Sequence, residues 1–121
     1  MDKVSEQELQ AASIAPRVTP ADIEANIASE HYFTAAHGVE GAMARMELHQ
    51  RCPGDAPPAN LGLLTFCVLV LRNGFTVTGE SACASPENFN AEIGRRIARE
   101  NAVDKIWPLM GYELKSSIAN R

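Results

Sequence analysis

The pattern of apolar and polar positions is clearest between residues 63 and 79. The run Leu63–Leu71 is rich in Leu, Val and Phe and is apolar on both faces, which predicts a strand buried on both sides, by the domain core or by another subunit. Asn73-Gly74 then predicts a type I′ turn with two positive-φ residues. Residues 75–78 alternate and predict the return strand of a β-hairpin, which Gly79 should end or interrupt with a bulge.

A long helix is predicted after the hairpin. Ser85 is a good cap, Pro86 suits the first helical position, and Pro108 should end the helix near Trp107. Residues 109–114 should then add an edge strand or pack as a short segment. At about 100° per residue, one stripe of this helix is apolar and is predicted to face the core. That stripe comprises Phe89, Ile93, Val103 and Trp107.

A second face of the predicted helix carries Gly94, Ala98 and Ala102, spaced four apart, with Ala91 beside them. Small residues at this spacing let another helix approach closely. Either a neighbouring element of the same chain or a helix of a second subunit would fill that space. Because the pattern predicts only one long helix, we expect a homo-oligomer.

Shorter elements are predicted in the N-terminal half. Thr19 can cap a short helix, Pro20 suits its first position, and Asp22 completes a capping box. This helix should run to about Ser29, and residues 31–34 are typical of a short extended segment.

The remaining segments complete the predicted organisation. Residues 39–50 favour a helix that Gly41 weakens, and residues 52–60, with three prolines and a glycine, favour a loop. Residues 1–18 are expected to form a flexible N-terminal tail or a marginal helix. Residues 19–121 are then a single α+β domain, in which an antiparallel β-hairpin or small sheet packs on a long C-terminal helix, with a short N-terminal helix.

Composition narrows the class of protein. The chain has 121 residues, 45% hydrophobic and 21% charged, and a net charge of −4, which argues against stable nucleic-acid binding because such proteins usually present a basic surface. No apolar run approaches the roughly 18–20 residues that cross a bilayer, and the N-terminus lacks a signal-peptide core. We therefore expect a cytoplasmic protein. The cysteines 52, 67 and 83 are odd in number and widely spaced, which favours reduced thiols, with Cys67 in the core.

Catalytic and metal chemistry is weakly supported. His31, His37 and His49 could form a metal set with Cys52, but the H-x₂-C spacing of the last two lacks a second matched pair. No spacing supports a cysteine or serine nucleophile. We therefore expect no metal, no cofactor and no enzymatic activity.

The start of the long helix is the better candidate site, because its unpaired N–H groups and its dipole favour an anion. Ser81, Ser85 and Asn88 add small polar groups there, although helix capping alone would explain Ser85 and part of the role of Asn88. Arg96 and Glu100, four residues apart, either reach a rim or a subunit contact, or hold and orient an anionic ligand.

Other charges on the helix are expected to be less informative. Arg95 and Arg99, near Glu92, should form a solvated face. Lys105 and Arg72 are exposed candidates for phosphate contact.

Four blocks in residues 64–114, NGFTVTGESAC, SPENF, EIGRRIARENA and KIWPLMGYEL, closely resemble the core of a phage and prophage protein family. It is the family named after gene product forty-nine of a podophage and gene sixty-six of a Shigella phage. The upstream segment EHYFTAAHGVEGA looks like a block of its longer members.

The resemblance implies a phage counter-defence function in the cytoplasm of an infected bacterial host. It suggests the first described type of Thoeris anti-defence sponge, which sequesters cyclic ADP-ribose signals, and in some cases cyclic oligonucleotides, without cleaving them. Such sponges assemble as hexamers built from dimers. The alternatives are a small module that inhibits or tethers a host protein and, least favoured, a nucleotide-processing enzyme.

The same resemblance places the ligand pocket on residues of both the hairpin and the helix. Aromatic stacking would come from Tyr32, Phe33 or Phe75, each of which is otherwise an ordinary core residue. The polar residues expected around the pocket are Thr78, Ser81, Asn88, Arg96 and Lys105.

Overall fold

The computed structural model describes residues 4–12, 15–46 and 57–121. Within them, three strands form one antiparallel sheet in the order β1-β2-β3, and the longest helix packs across one face of it. This arrangement confirms the predicted α+β class, with a small sheet on a long C-terminal helix. The elements are α1 (Glu6–Ala12), α2 (Pro20–Ala25), β1 (Ile27–Thr34), α3 (Ala35–Ala44), β2 (Leu64–Leu71), β3 (Thr76–Ala82) and α4 (Ala91–Ala119).

The central strand, β2, alternates strictly between a buried and a partly exposed side. Its buried residues, among them the predicted core residue Cys67, lie beneath α4. The opposite side, which we call the outer face, carries the partly exposed Leu64, Phe66, Val68 and Val70 of β2. Of the two alternatives predicted for this strand, burial on both sides by the domain core is not observed, because α4 covers one side only. Burial of the other side by another subunit stays a prediction.

The hairpin turn differs from the predicted type I′ turn. Gly74 has a positive φ of 91°, but Asn73 does not. The N–H of Gly74 donates to the Leu71 carbonyl at 2.9 Å, and the N–H of Leu71 donates to the Phe75 carbonyl at 2.8 Å. This pattern is a three-residue loop in which a left-handed glycine follows an ordinary turn.

Gly79 neither ends β3 nor forms a bulge; it pairs with Cys67 in the middle of the strand. A Cβ atom at this position would lie 2.2 Å from the carbonyl oxygen of Ala98 and 2.3 Å from the backbone nitrogen of Ala102. The small-residue face of α4 is therefore filled by the sheet of its own chain, and the expectation that it packs on a second subunit loses its basis.

The predicted core stripe of α4 is confirmed only in part. Ile93 is 49% exposed, Val103 and Trp107 pack at the margin of the core, and Phe89 precedes the helix. The helix buries its small residues and Ile106 instead. Gly79 leaves no side chain at the centre of the sheet. The helix packs there with Ala98 and Ala102, because their small side chains let the backbone of α4 approach the backbone of β3.

Pro108 does not end α4, which continues to Ala119, so residues 109–114 are helical and not an edge strand. A proline inside a helix costs about 3 kcal/mol or more. Packing on both sides of it offsets this cost, since Ile106 is fully buried and Met110 packs against the core.

Strands β1 and β3 form the two edges of the sheet. At the β3 edge, the side-chain amide of Asn101 on α4 donates to the carbonyl oxygen of Glu80 at 2.8 Å. The long helix therefore touches the backbone of the edge strand as well as the side chains beneath it.

In the N-terminal half, α2 has the predicted capping box between Thr19 and Asp22. The helix ends at Ala25 and not near Ser29, because Ile27 already pairs with β2. The predicted extended segment is therefore the second half of a longer strand.

The helix predicted for residues 39–50 begins earlier, with α3 at Ala35. The end of that prediction and most of the predicted loop 52–60 lie outside the described residues. The described end of the loop forms a short 3₁₀ turn, Ala59–Leu63. Within residues 1–18, the chain forms α1.

Candidate functional site

The long helix begins at Ala91 and not at the predicted Pro86, because Asn90 and not Ser85 caps it. The Oδ1 atom of Asn90 accepts the N–H of Ile93 at 3.1 Å, while the Ser85-Pro86 segment leads into a separate 3₁₀ turn. The first N–H groups of a helix have no acceptor within it, and the dipole makes that end positive. The anion-attracting end of α4 is therefore at Ala91.

A cavity of about 400 Å³, here called the first cavity, lies beside this helix start. Residues of α3, of the end of β1 and of the first turns of α4 line it. Cavities of this size are typical of small-molecule sites. The side chains that give the first cavity its chemistry are Tyr32, Phe33, His37, Glu40, Phe89 and Arg95.

Three aromatic residues, Tyr32, Phe33 and Phe89, line the first cavity. Phe33 stands on β1, Phe89 lies just before α4, and both line the cavity. The Phe33 ring also contacts the ring of Phe66, with centroids 5.5 Å apart. Flat apolar faces of this kind stack well against nucleobases.

Two opposite charges reach the same cavity. Arg95 lies one turn after the start of α4 and forms no ion pair with any described residue. Its free guanidinium and the N–H groups at Ala91 both attract an anion. Glu40 on α3 contributes a carboxylate, which accepts hydrogen bonds from hydroxyl groups such as those of a ribose.

Tyr32, the third aromatic residue of the first cavity, is held by an ion-pair network that includes Glu30 and Arg99. Its hydroxyl donates to Glu30 at 2.8 Å, and Arg99 donates to Glu30 at 3.2 Å and to Glu24 at 2.7 and 3.0 Å. The hydrogen bond from Tyr32 and then that from Arg99 lower the pKa of Glu30, while burial and the bond to Glu30 raise the pKa of Tyr32. Of the two arginines predicted on a solvated face, Arg95 is exposed, whereas Arg99 is only partly exposed and is held by these ion pairs.

A second cavity, of about 180 Å³, lies on the other side of a wall formed by Thr65 and Phe89. Ser81 and Asn88 line it. Thr65 is only 3% exposed, and its hydroxyl has no hydrogen-bond partner among the described residues. A buried hydroxyl without a partner is uncommon in folded proteins, and here it lies in the wall between the two cavities.

Comparison with family models gives one result for this chain. The model described as the phage protein (N4 Gp49/phage Sf6 gene 66) family matches residues 18–118. The chain belongs to this phage protein family. The match covers every residue of both cavities. Comparisons with curated proteins and with solved structures give no match.

Among the described residues of this family member, no helix is long and apolar enough to cross a membrane.

The described residues also contain no group of three His, Cys, Asp or Glu side chains arranged to hold a metal ion. Two members of the set weighed from the sequence, His49 and Cys52, lie outside the described residues. His31 instead contacts the hydroxyl of Ser29 at 3.0 Å.

The structure brings together only part of the predicted ligand site. Ser81 and Asn88 share the second cavity, and Tyr32 lines the first. Thr78 is exposed on the outer face, where it pairs with Val68 across the sheet.

The other three predicted site residues lie apart from both cavities. Phe75 is 56% exposed beside the hairpin turn. Arg96 is exposed and pairs with Glu92 at 3.5 Å, and not with Glu100 as predicted. Lys105 lies about 21 Å along the helix axis from Ala91, at about 1.5 Å per residue.

Sequence reasoning missed three residues of the first cavity: His37, Glu40 and Arg95. A signal for Arg95 existed, since Asn90 is as good a cap as Ser85 and would have placed the arginine in the opening turns of the helix. His37 was weighed only as a metal ligand, because a histidine rarely takes the last position of a capping box.

Proposed function

We propose that this phage protein binds a cyclic nucleotide immune signal and sequesters it without cleaving it, and so counters a host defence. The observation that carries the proposal is the first cavity, which combines aromatic rings, an arginine without an ion pair among the described residues, and a carboxylate beside the start of a 29-residue helix. A nucleotide needs each of these groups, for its base, its phosphate and its ribose.

In the proposed complex the base stacks on Phe33 or Phe89. A phosphate faces Arg95 and the N–H groups at Ala91, where a cation and the helix dipole act together. Ribose hydroxyls donate to Glu40. The carboxylate favours a nucleotide over inorganic phosphate, because it repels a bare anion but accepts hydrogen bonds from a sugar.

Membership of a phage protein family is consistent with a role during infection. We propose that the ligand is a cyclic ADP-ribose isomer or a cyclic oligonucleotide, and that binding occurs in the cytoplasm of the infected bacterium. The size of the first cavity favours the more compact of these ligands. We also propose that the protein works as a homo-oligomer.

Calorimetric titration with cyclic ADP-ribose isomers, cyclic di-AMP and a cyclic triadenylate tests the proposal. A sponge binds at least one of them and releases it with unchanged mass when the protein is heated. Arg95→Ala should weaken that binding by roughly ten- to a hundredfold, because a charge-assisted hydrogen bond is lost. Lys115→Ala removes the same charge from a distant exposed position and should leave the affinity unchanged.

The outcomes separate the competing functions. A ligand that returns with altered mass would make the protein an enzyme, and no binding at all would remove the proposal. Weakening by Arg96→Ala but not by Arg95→Ala would show that the site lies where the sequence first suggested.

A second candidate function is an interaction module for a host protein. The outer face favours it, because four apolar residues of β2 stay partly exposed there, and exposed apolar patches often mark interaction sites. Such a module would ignore every nucleotide in the titration.

A further inference from the structure

The cap of α3 uses a histidine. The N–H of His37 donates to the Thr34 hydroxyl at 3.2 Å, and the backbone N–H of Thr34 donates to Nδ1 of His37 at 3.2 Å. The pair forms a complete capping box in which imidazole takes the place usually held by Glu or Gln.

This bond determines which ring nitrogen carries the proton. A backbone N–H can only donate, so Nδ1 must offer its lone pair, and the neutral ring then has its hydrogen on Nε2. The cap therefore presents His37 as a hydrogen-bond donor at the nitrogen that faces away from the helix backbone. The same side chain lines the first cavity.

We infer that His37 is a specificity-determining residue, whose Nε2–H selects ligands that present a phosphoryl oxygen to the first cavity. This inference rests on the proposed function and names the ligand group that the site distinguishes. Arg95 supplies a second donor to the same cavity from α4, so the cavity favours an acceptor-rich group. An unphosphorylated nucleoside offers no such group and should bind more weakly.

Two other polar side chains of the first cavity are less suited to this role than His37. The Tyr32 hydroxyl already donates to Glu30. Glu40 can accept hydrogen bonds but repels a phosphate. The first cavity thus contains two donors, His37 and Arg95, and one acceptor, Glu40.

Two substitutions separate the cap from the donor. His37→Gln preserves the capping box, because its Oε1 accepts the Thr34 N–H while its amide still donates to the cavity. His37→Glu also preserves the capping box but puts an acceptor where the donor stood. Both variants should therefore fold, which circular dichroism and thermal unfolding would verify.

The probes are cyclic ADP-ribose, cyclic di-AMP, AMP and adenosine, each titrated into the full chain. We expect His37→Gln to stay within about threefold of the wild type for phosphorylated probes, and His37→Glu to bind them roughly ten- to a hundredfold more weakly. Adenosine should not distinguish the variants. Equal binding of phosphorylated probes by both variants overturns the inference and leaves the proposed function standing. A wild type that binds no probe overturns both.

A measurement without substitution tests the same point. In ¹⁵N-labelled protein, the free form should show a protonated Nε2 and an unprotonated Nδ1 at His37. Addition of a phosphorylated probe should shift the Nε2 resonance and leave Nδ1 as an acceptor. The opposite tautomer, or an unmoved Nε2 resonance at saturating probe, contradicts the inference.

Discussion

At the scale of single residues, the absent side chain of Gly79 determines how closely α4 lies on the sheet. The helix backbone occupies the space that a Cβ atom would need, with two backbone atoms within 2.3 Å of that position. Neither atom belongs to a flexible side chain, so the helix itself would have to move. The glycine therefore fixes the distance between the two layers of the fold.

Gly79→Ala should destabilise the protein by about 3 kcal/mol or more, because overpacking against backbone cannot be relieved by a rotamer change. Urea unfolding followed by circular dichroism measures the loss. Gly41→Ala is the matched control, since nothing lies within 4 Å of its Cβ position in α3, and it should stabilise the helix by roughly 0.5–1 kcal/mol. A Gly79→Ala variant as stable as the wild type would disprove the close contact.

The sequence predicted the roles of residues whose contacts are local, but not of residues whose contacts are distant along the chain. The capping box of Thr19 and Asp22 was readable, because its hydrogen bonds are local to four residues. The role of Gly79 was not, since it depends on a helix twenty residues later in the chain. Arg96 and not Arg95 was placed at the site, because the predicted core stripe lay on a different face of α4 from the small residues that the helix buries.

At the scale of elements, Arg99 joins three parts of the fold. From α4 it reaches Glu24 on α2 and Glu30 on β1, and Glu30 in turn holds Tyr32. The hydrogen bond from Arg99 lowers the pKa of Glu24, and the hydrogen bonds from Tyr32 and Arg99 lower that of Glu30, both from an ordinary value of 4.5. The network therefore links the aromatic wall of the first cavity to the stability of the whole domain.

These lowered pKa values predict a loss of stability in acid. Each carboxylate contributes stability above its unfolded pKa, and this contribution disappears as the pH falls through the lower folded pKa. The urea midpoint should therefore drop below about pH 4.5. Arg99→Gln should reduce that acid dependence, whereas Arg96→Gln, which removes an exposed pair with Glu92, should preserve it. Identical pH profiles for Arg99→Gln and the wild type would exclude the network as the cause.

Element types were predictable where the pattern was strong, as for the hairpin and the long helix. The residues at which the elements end were less predictable, because packing against parts of the chain that are distant in sequence determines them. Pro108 would end an isolated helix, but the burial of Ile106 and the packing of Met110 carry α4 beyond it. Likewise, pairing with β2 takes Ile27 from the predicted helix into β1.

At the scale of the whole molecule, the outer face is an apolar surface that α4 leaves uncovered. A sheet covered on one side only usually presents polar residues on the other, yet β2 carries Phe66 and Val68 there. Burial of this face against a second copy would remove apolar area from water and provide the homo-oligomer that we propose.

Val68→Glu should then dissociate the assembly, because a charge placed in an apolar contact would lose its hydration. Light scattering should report a multiple of 13.1 kDa for the wild type and 13.1 kDa for the variant. Ser117→Glu adds the same charge at an exposed position near the end of α4 and should leave the assembly intact. A monomeric wild type, or an intact Val68→Glu assembly, would show that the outer face is not the interface.

The Asn101 amide on the backbone of Glu80 has a consequence for solubility. An open edge strand is a template on which strands of other chains can add, and such addition leads to fibrous aggregates. A carbonyl already bound to a helix side chain is closed to an incoming strand. The long helix therefore also protects the edge of the sheet around Glu80 from strand addition.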